Sequence, residues 1–215
     1  NGLLARKDGP PALVVAGVRM SRDASEVISG SQVKTWTSPR TARTVARKAF
    51  MDRCALRSVR LNNGLTKLGE QAFESCERLR QVLFGAGLRE IGYMCFYRSG
   101  LEEVVLPGSI KLIGEASFCC CSSLKRVVFA GEGPETIGRE AFAWSGLESF
   151  VGPASLRKIG DRAFAGCEGL RHADLGACAL QGVCGEGQWF RHVFEDCGLE
   201  SVVLPRTLRV VWDCA

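Results

Sequence analysis

The apolar positions of this chain follow two interlocked periods. Segments of the form LxxVxL alternate, so that Val59 and Leu61, Val82 and Phe84, Val104 and Leu106, and Val127 and Phe129 share one face while the residues between them share the other. A period of two is that of a half-buried β-strand. A slower repeat is marked by phenylalanine: Phe50, Phe73, Phe96, Phe118, Phe142, Phe164 and Phe194 stand 23, 23, 22, 24, 22 and 30 residues apart. A period in the low twenties is that of a solenoid, in which one strand per unit cannot bury its apolar face alone and stacked units share a continuous core. The pattern predicts a repeat solenoid with parallel strands on its concave face, a ladder of inward phenylalanines, and a short helical or 3-10 turn at GxxAF on the convex face. Pro or Gly after the strand ends its pairing.

The units share the skeleton IGxxAFxxCxxLxxVxLPxxLxx, of which IGREAF at residues 137 to 142 is a clear copy. Residues 1–32 show no repeat signal and read as a basic leader, with ALVVAGV at 12 to 18 a candidate strand. A half-unit is expected at 33–44, because Pro39 precedes Val45 by six residues as Pro107, Pro153 and Pro205 precede Ile113, Ile159 and Val211. Seven units follow over 45–210, the sixth trailed by a Gly- and Cys-rich insertion near 176 to 188. An eighth opens at 211–215 and halts before its ladder Phe, so the seventh is expected to lack a following rung. With Asn1 first, the chain reads as an excerpt of something longer.

Composition adds little to this picture. At 46% hydrophobic and 24% charged residues the chain is ordinary for a globular fold. No apolar run approaches the roughly eighteen residues of a membrane-spanning helix, so no membrane span is expected. The net charge of +5 is uneven: residues 1–48 hold nine of the 28 Lys and Arg and three of the 23 acids, leaving nineteen and twenty for the rest. The array is close to neutral, and the leader's scattered basic residues read as a solvated segment; no nucleic-acid partner is expected.

Eleven cysteines are many, but Cys76, Cys121, Cys167 and Cys197 each lie three residues after a ladder Phe and Cys54 lies four after. These read as one buried structural column of thiols, although neighbouring rungs about 5 Å apart are within reach of a disulfide. Cys119 and Cys120, off that column, are the better candidates for reactive thiols.

The skeleton of IG, AF, a Cys three later and LxxVxLP resembles the BspA-like (Treponema-type) leucine-rich repeats over roughly residues 45–215. The resemblance implies a leucine-rich repeat solenoid, and members of that family look like cell-surface adhesins. The departures are the 30-residue step before Phe194, the CCC at 119 to 121, and Trp189-Phe190 in place of IG.

No reaction chemistry is legible. His172 and His192 lack an acid and a nucleophile at triad spacing, the Gly-rich stretches match no phosphate-loop pattern, and Cys178 and Cys184 lack metal-ligand spacing and read as plain thiols, with a disulfide as the alternative; no catalytic residue, metal or cofactor is expected. The outward residues say more. The middle outward strand position reads Arg60, Leu83, Val105, Val128, Val151, Asp174 and Val203, four consecutive apolar residues forming a candidate binding stripe; a preference of parallel strands for β-branched residues gives the same pattern. Beside it Arg57, Arg80, Glu102, Lys125, Glu148, Arg171 and Glu200 largely alternate in sign and can pair between strands. A further column holds Arg89, Lys111, Arg157 and Arg209, interrupted by Glu135, a candidate basic rim for an acidic surface or glycan.

The sequence therefore predicts a non-catalytic module that binds another protein. The alternatives are a cell-surface adhesin, which unpaired cysteines would count against, and a regulatory or targeting arm of a longer enzyme.

Overall fold

The computed structural model describes residues 13–15, 18–20, 26–29, 33–180 and 192–206. The first strands in chain order are β1 (Leu13–Val15), β2 (Val18–Met20), β3 (Glu26–Ser29), β4 (Thr35–Thr37), β5 (Thr44–Val45), β6 (Ser58–Arg60), β7 (Lys67–Leu68) and β8 (Gln81–Leu83). They continue with β9 (Glu90–Ile91), β10 (Glu103–Pro107), β11 (Leu112–Ile113), β12 (Arg126–Ala130), β13 (Thr136–Ile137), β14 (Ser149–Val151), β15 (Lys158–Ile159), β16 (His172–Asp174) and β17 (Ser201–Val203).

The strands named by LxxVxL are the even-numbered ones from β4 to β16, together with β17, and they stack in parallel as the alternation predicts. Val59 sits between Trp36 and Val82 in register, Val104 beside Val127, and Phe150 beside Ala173. In the segment read as a half-unit, β4 pairs with β6 and the Trp36 ring lies 4.7 Å from that of Phe50. Asn62 ties the two together, its amide N–H donating to Ser38 Oγ at 2.7 Å and its side-chain amide to the Pro39 carbonyl at 2.6 Å. The stack is interrupted between β8 and β10 and between β12 and β14. Both breaks fall where a unit with six residues from ladder Phe to Leu is followed by one with five, but the same step from residues 164–170 to 194–199 leaves β16 and β17 paired.

Behind these strands runs the phenylalanine ladder. Successive rings from Phe50 to Phe194 are stacked at 5.1 to 5.4 Å with interplanar angles of 4° to 15°. The 30-residue step to Phe194 leaves the ladder in register, with Phe164 and Phe194 5.4 Å apart, and β16 and β17 pair alongside. Whatever the inserted residues do, the coil closes again on the same rung.

A second sheet was not read from the sequence. The two residues ending in the Ile of IG form the short parallel strands β5, β7, β9, β11, β13 and β15, whose inward members Val45, Leu68, Ile91, Ile113, Ile137 and Ile159 are all buried. In the segment read as a leader, β1, β2 and β3 make an antiparallel meander, and β3 joins this sheet in parallel beside β5. The Gly of IG follows from the same packing. A Cβ on Gly138 would stand 2.6 Å from the Glu115 amide nitrogen and 2.8 Å from the Gly114 carbonyl carbon, so only glycine lets adjacent coils approach here.

The expected helical or 3-10 turns are corrected: the described residues contain no helix. The residues two before and two after each ladder Phe hold positive φ, as at Gln71 (56°), Ser75 (56°), Ala116 (51°) and Cys120 (59°). A left-handed residue every fourth position ends any helix before it propagates. Backbone bonds between coils take the helix's place. The N–H groups of Gln71, Phe73 and Ser75 donate to the carbonyls of Tyr93, Cys95 and Tyr97 in the next coil, each at 2.8 Å, and those of Ala116, Phe118 and Cys120 to Arg139, Ala141 and Ala143 at 2.8 to 2.9 Å. The N–H groups between them close turns within their own coil, as Ala72 does onto Gly69 at 3.3 Å. GxxAF is thus a ladder of turns in which alternate amides all donate toward the C-terminal end.

The cysteine column lies against this ladder. Cys76, Cys121, Cys167 and Cys197 each donate S–H to the carbonyl of the preceding coil's ladder Phe, at 3.0 to 3.1 Å. Ser99 and Ser145 fill the same position between them and contact Cys121 and Cys167 through their hydroxyls at 3.4 and 3.3 Å. The described cysteines are free thiols. Two sequence expectations are corrected here. Cys54 is exposed and outside the column, because one extra residue carries it past the buried position. Cys119 is buried beside Ala116 and Ala143, and burial raises its thiol pKa far above the ordinary value, which makes it a poor candidate for reactivity.

Candidate functional site

The alternation within β8, β10, β12 and β14 turns every second residue of these stacked strands outward. Val82, Val104, Val127 and Phe150 point into the core, while their neighbours Leu83, Val105, Val128 and Val151 are 41%, 48%, 37% and 63% exposed. The four candidate stripe residues therefore stand on consecutive rungs, and Val105 and Val128 are direct register partners. Arg60 bounds the stripe on the N-terminal side and Asp174 on the C-terminal side, both exposed. Asp174 accepts from the Gly176 N–H at 2.8 Å, which holds its carboxylate at the strand end. Where pairing lapses between β8 and β10 the face has a shallow groove lined by Arg80, Gln81, Leu83, Glu102, Glu103 and Val105.

The charged column beside the stripe pairs as its alternation suggests: Arg80 with Glu102 at 3.6 Å, Lys125 with Glu148 at 3.4 Å and Arg171 with Glu200 at 3.9 Å. These pairs are solvent-exposed and contribute little to stability. They leave the flank of the stripe locally neutral. A second outward column, carrying Glu103 and Arg126 side by side in register, was not singled out from the sequence, although the same alternation encodes it.

The candidate basic rim is less uniform than its residue types imply. Arg89, Lys111 and Arg157 are exposed, but the Lys111 ammonium lies 3.1 Å from Glu135 and 3.9 Å from Glu132, so its charge is largely compensated. Arg209 lies outside the described residues, as do Cys184 and Trp189. His172 is on β16, its Nδ1 2.8 Å from Ser201 Oγ, and His192 lies 3.5 Å from Glu195. Cys178 is buried, with its thiol pushed up to about 11 chiefly by desolvation. Among the described residues no three His, Cys, Asp or Glu side chains are grouped to hold a metal. No helix there is long and apolar enough to cross a membrane.

The convex side carries exposed aromatics that the sequence reading passed over. Trp144 is half-exposed on a left-handed residue. Its ring lies over Gly166, where a Cβ would stand 2.4 Å from Trp144 Cδ1. Tyr93 is exposed three residues before Phe96.

The family profile described as the BspA type leucine-rich repeat region matches residues 43–171 in six copies. The chain belongs to the BspA-type leucine-rich repeat family. Solved structures repeat the fold of this BspA-type solenoid. A leucine-rich repeat protein of T. pallidum superposes with a TM-score of 0.58 at 24% identity, over 73% of this chain and 77% of that one. The pneumococcal vaccine antigen PcpA gives 0.65 at 23% identity, over 76% of this chain and 42% of its own. A leucine-rich cell surface protein of Faecalibacterium prausnitzii gives 0.54 at 20%, over 77% and 55% respectively. The chain thus spans about half the length of the latter two. Curated proteins offer no sequence match.

Proposed function

We propose that this BspA-type solenoid is a non-catalytic interaction module that takes another protein on its concave sheet face. Leu83, Val105, Val128 and Val151 form the centre of the contact, and Arg89, Lys111, Arg157 and Arg209 form an outer rim toward acidic groups. The observation that supports this reading is the run of four exposed apolar side chains on successive rungs, since contiguous exposed apolar area on a folded surface usually serves binding. The paired charges beside it offer a polar border that sets register more than affinity.

The test compares three immobilised proteins: the parent, Val128→Asp with Val151→Asp, and Arg157→Glu. The stripe variant is expected to stay folded by circular dichroism and to lose proteins that the parent retains, while the rim variant keeps most of them with a weaker salt dependence. A folded stripe variant that retains everything the parent retains refutes the assignment of the face.

A further inference from the structure

The outward residues of this face have a symmetry of their own. Over the six rungs of β6, β8, β10, β12, β14 and β16, the stripe reads Arg60, Leu83, Val105, Val128, Val151, Asp174. Reversing the order exchanges Arg60 with Asp174, Leu83 with Val151, and Val105 with Val128. Each apolar residue meets an apolar one, and the cation at one end meets the anion at the other. The neighbouring columns follow the same rule: reversal exchanges Arg80 with Glu148, Glu102 with Lys125, and Glu103 with Arg126. Only Arg57 with Arg171 brings like charges together, and Arg171 has Glu200 beside it at 3.9 Å.

We infer that the concave face is self-complementary and pairs with a second copy of this chain. A two-fold axis lies along the strand direction and passes between Val105 and Val128. Resting on the reading of the stripe as a contact surface, this names one occupant for it. Such an axis keeps each column facing its own column and reverses the rung order, which is the operation just described; a two-fold contact of this kind uses the same patch on both copies. The charges also select the register. With the axis moved onto Val105, Glu102 meets Glu102 and Arg80 meets Lys125. With it moved onto Val128, Lys125 meets Lys125, Arg126 meets Arg126 and Glu102 meets Glu148. Slipped arrangements are thus penalised by repulsion, a specificity device independent of the apolar area.

The shape of the face allows it. Ladder rings repeat every 5.1 to 5.4 Å, hardly more than the roughly 4.8 Å between strands. The stack therefore fans little from its interior to its paired strands, so the face is only gently concave over the roughly 25 Å from Arg60 to Asp174, with the shallow groove between β8 and β10 as a recess in it.

The experiment is sedimentation velocity on the full chain across concentration, with variants of the two end charges. The parent is expected to dimerise. Because symmetry places each contact twice, Arg60→Asp and Asp174→Arg should each weaken the dimer by about tenfold or more. The double reversal, Arg60→Asp with Asp174→Arg, should restore it to within about threefold. An equimolar mixture of the two single variants should associate more tightly than either alone, because both end contacts are then between opposite charges. Asp174→Asn keeps an acceptor for the Gly176 N–H and should fall between parent and Asp174→Arg, which separates lost charge from lost fold. A parent that stays monomeric at its highest soluble concentration overturns the inference, as does a dimer without rescue in the double reversal and the mixture. If the parent is monomeric while Val128→Asp with Val151→Asp still loses other proteins, the proposed function stands and only the second copy is wrong. If that stripe variant dimerises like the parent, the dimer lies elsewhere and the inference falls.

Discussion

The ladder makes Phe118→Ala the most informative perturbation of this fold. The Phe118 ring is fully buried and stacked on both sides, on Phe96 at 5.2 Å and 11° and on Phe142 at 5.3 Å and 5°. Truncation removes a large apolar side chain from a core that cannot collapse, because the backbones above and below are fixed by hydrogen bonds between coils, so the loss should be about 3 to 5 kcal/mol. For a chain of this length that corresponds to a fall of about 6 to 20 °C in Tm. Stacked aromatic pairs contribute about 0.5 to 1.5 kcal/mol beyond burial, and this part can be isolated. Phe96→Ala combined with Phe118→Ala should be non-additive by about that amount, because the second change no longer breaks a contact the first has removed. Phe73→Ala combined with Phe118→Ala should be additive, since a rung stands between the two rings. Equilibrium urea unfolding followed by circular dichroism reads the parent, the three single variants and the two doubles. Additivity in the adjacent pair, or a loss below about 1 kcal/mol for Phe118→Ala alone, would refute the nearest-neighbour account of this core.

Other consequences can be checked in the same assay. Gly138→Ala should cost about 2 to 3 kcal/mol, because the added methyl meets backbone of the preceding coil and no side chain can give way. Arg98→Gly should stabilise by up to about 1 kcal/mol, since residue 98 sits at φ 54° where a Cβ is unfavourable; Arg98→Val should instead destabilise. Burial pushes the thiols of Cys76 and Cys121 up to about 12 and about 11. The folded chain then holds these protons more tightly than the unfolded one, so stability is complete below the ordinary thiol value of 9.0 and declines as pH rises through the folded values. Cys121→Ser, which copies Ser99 and Ser145, should flatten part of that alkaline decline in unfolding midpoints measured from neutral pH upward.

Side chains that face the core announced themselves in the sequence. The Phe ladder, the β-strand alternation and the column three residues after each Phe are all set by what fits between coils, and composition at those positions is restricted enough to read. The second sheet and the left-handed turns are held by backbone hydrogen bonds, which leave only indirect traces. Residues such as Gln71, Arg98, Ala116 and Glu140 carry no preference for positive φ and suit a helix equally well, so GxxAF read as helical. The one trace was the Gly of IG, legible as a close approach only once coils are stacked. For the candidate face, the positions were readable and their exposure follows from the alternation. Lys111 shows the limit: its place on the rim was legible, but its compensation by Glu132 was not, because Glu132 reaches it from a loop lengthened by two residues in the fourth unit.

The turn ladder also gives the solenoid an electrical direction. Along the convex side, alternate peptide groups point their N–H toward the C-terminal end and their C=O toward the N-terminal end, coil after coil. Their dipoles add as they do in an α-helix, but with opposite sense relative to the chain. The C-terminal rung is the positive pole. In the sequence the fixed charges lean the same way: the first ladder turn carries Arg47, Lys48 and Arg53 against Asp52, and the turn around Phe194 carries Glu195 and Asp196 against Arg191, with His192 beside them. Each added coil extends the same dipole, so a stack of these turns is a polar rod whose two ends present different chemistry to any unit that follows.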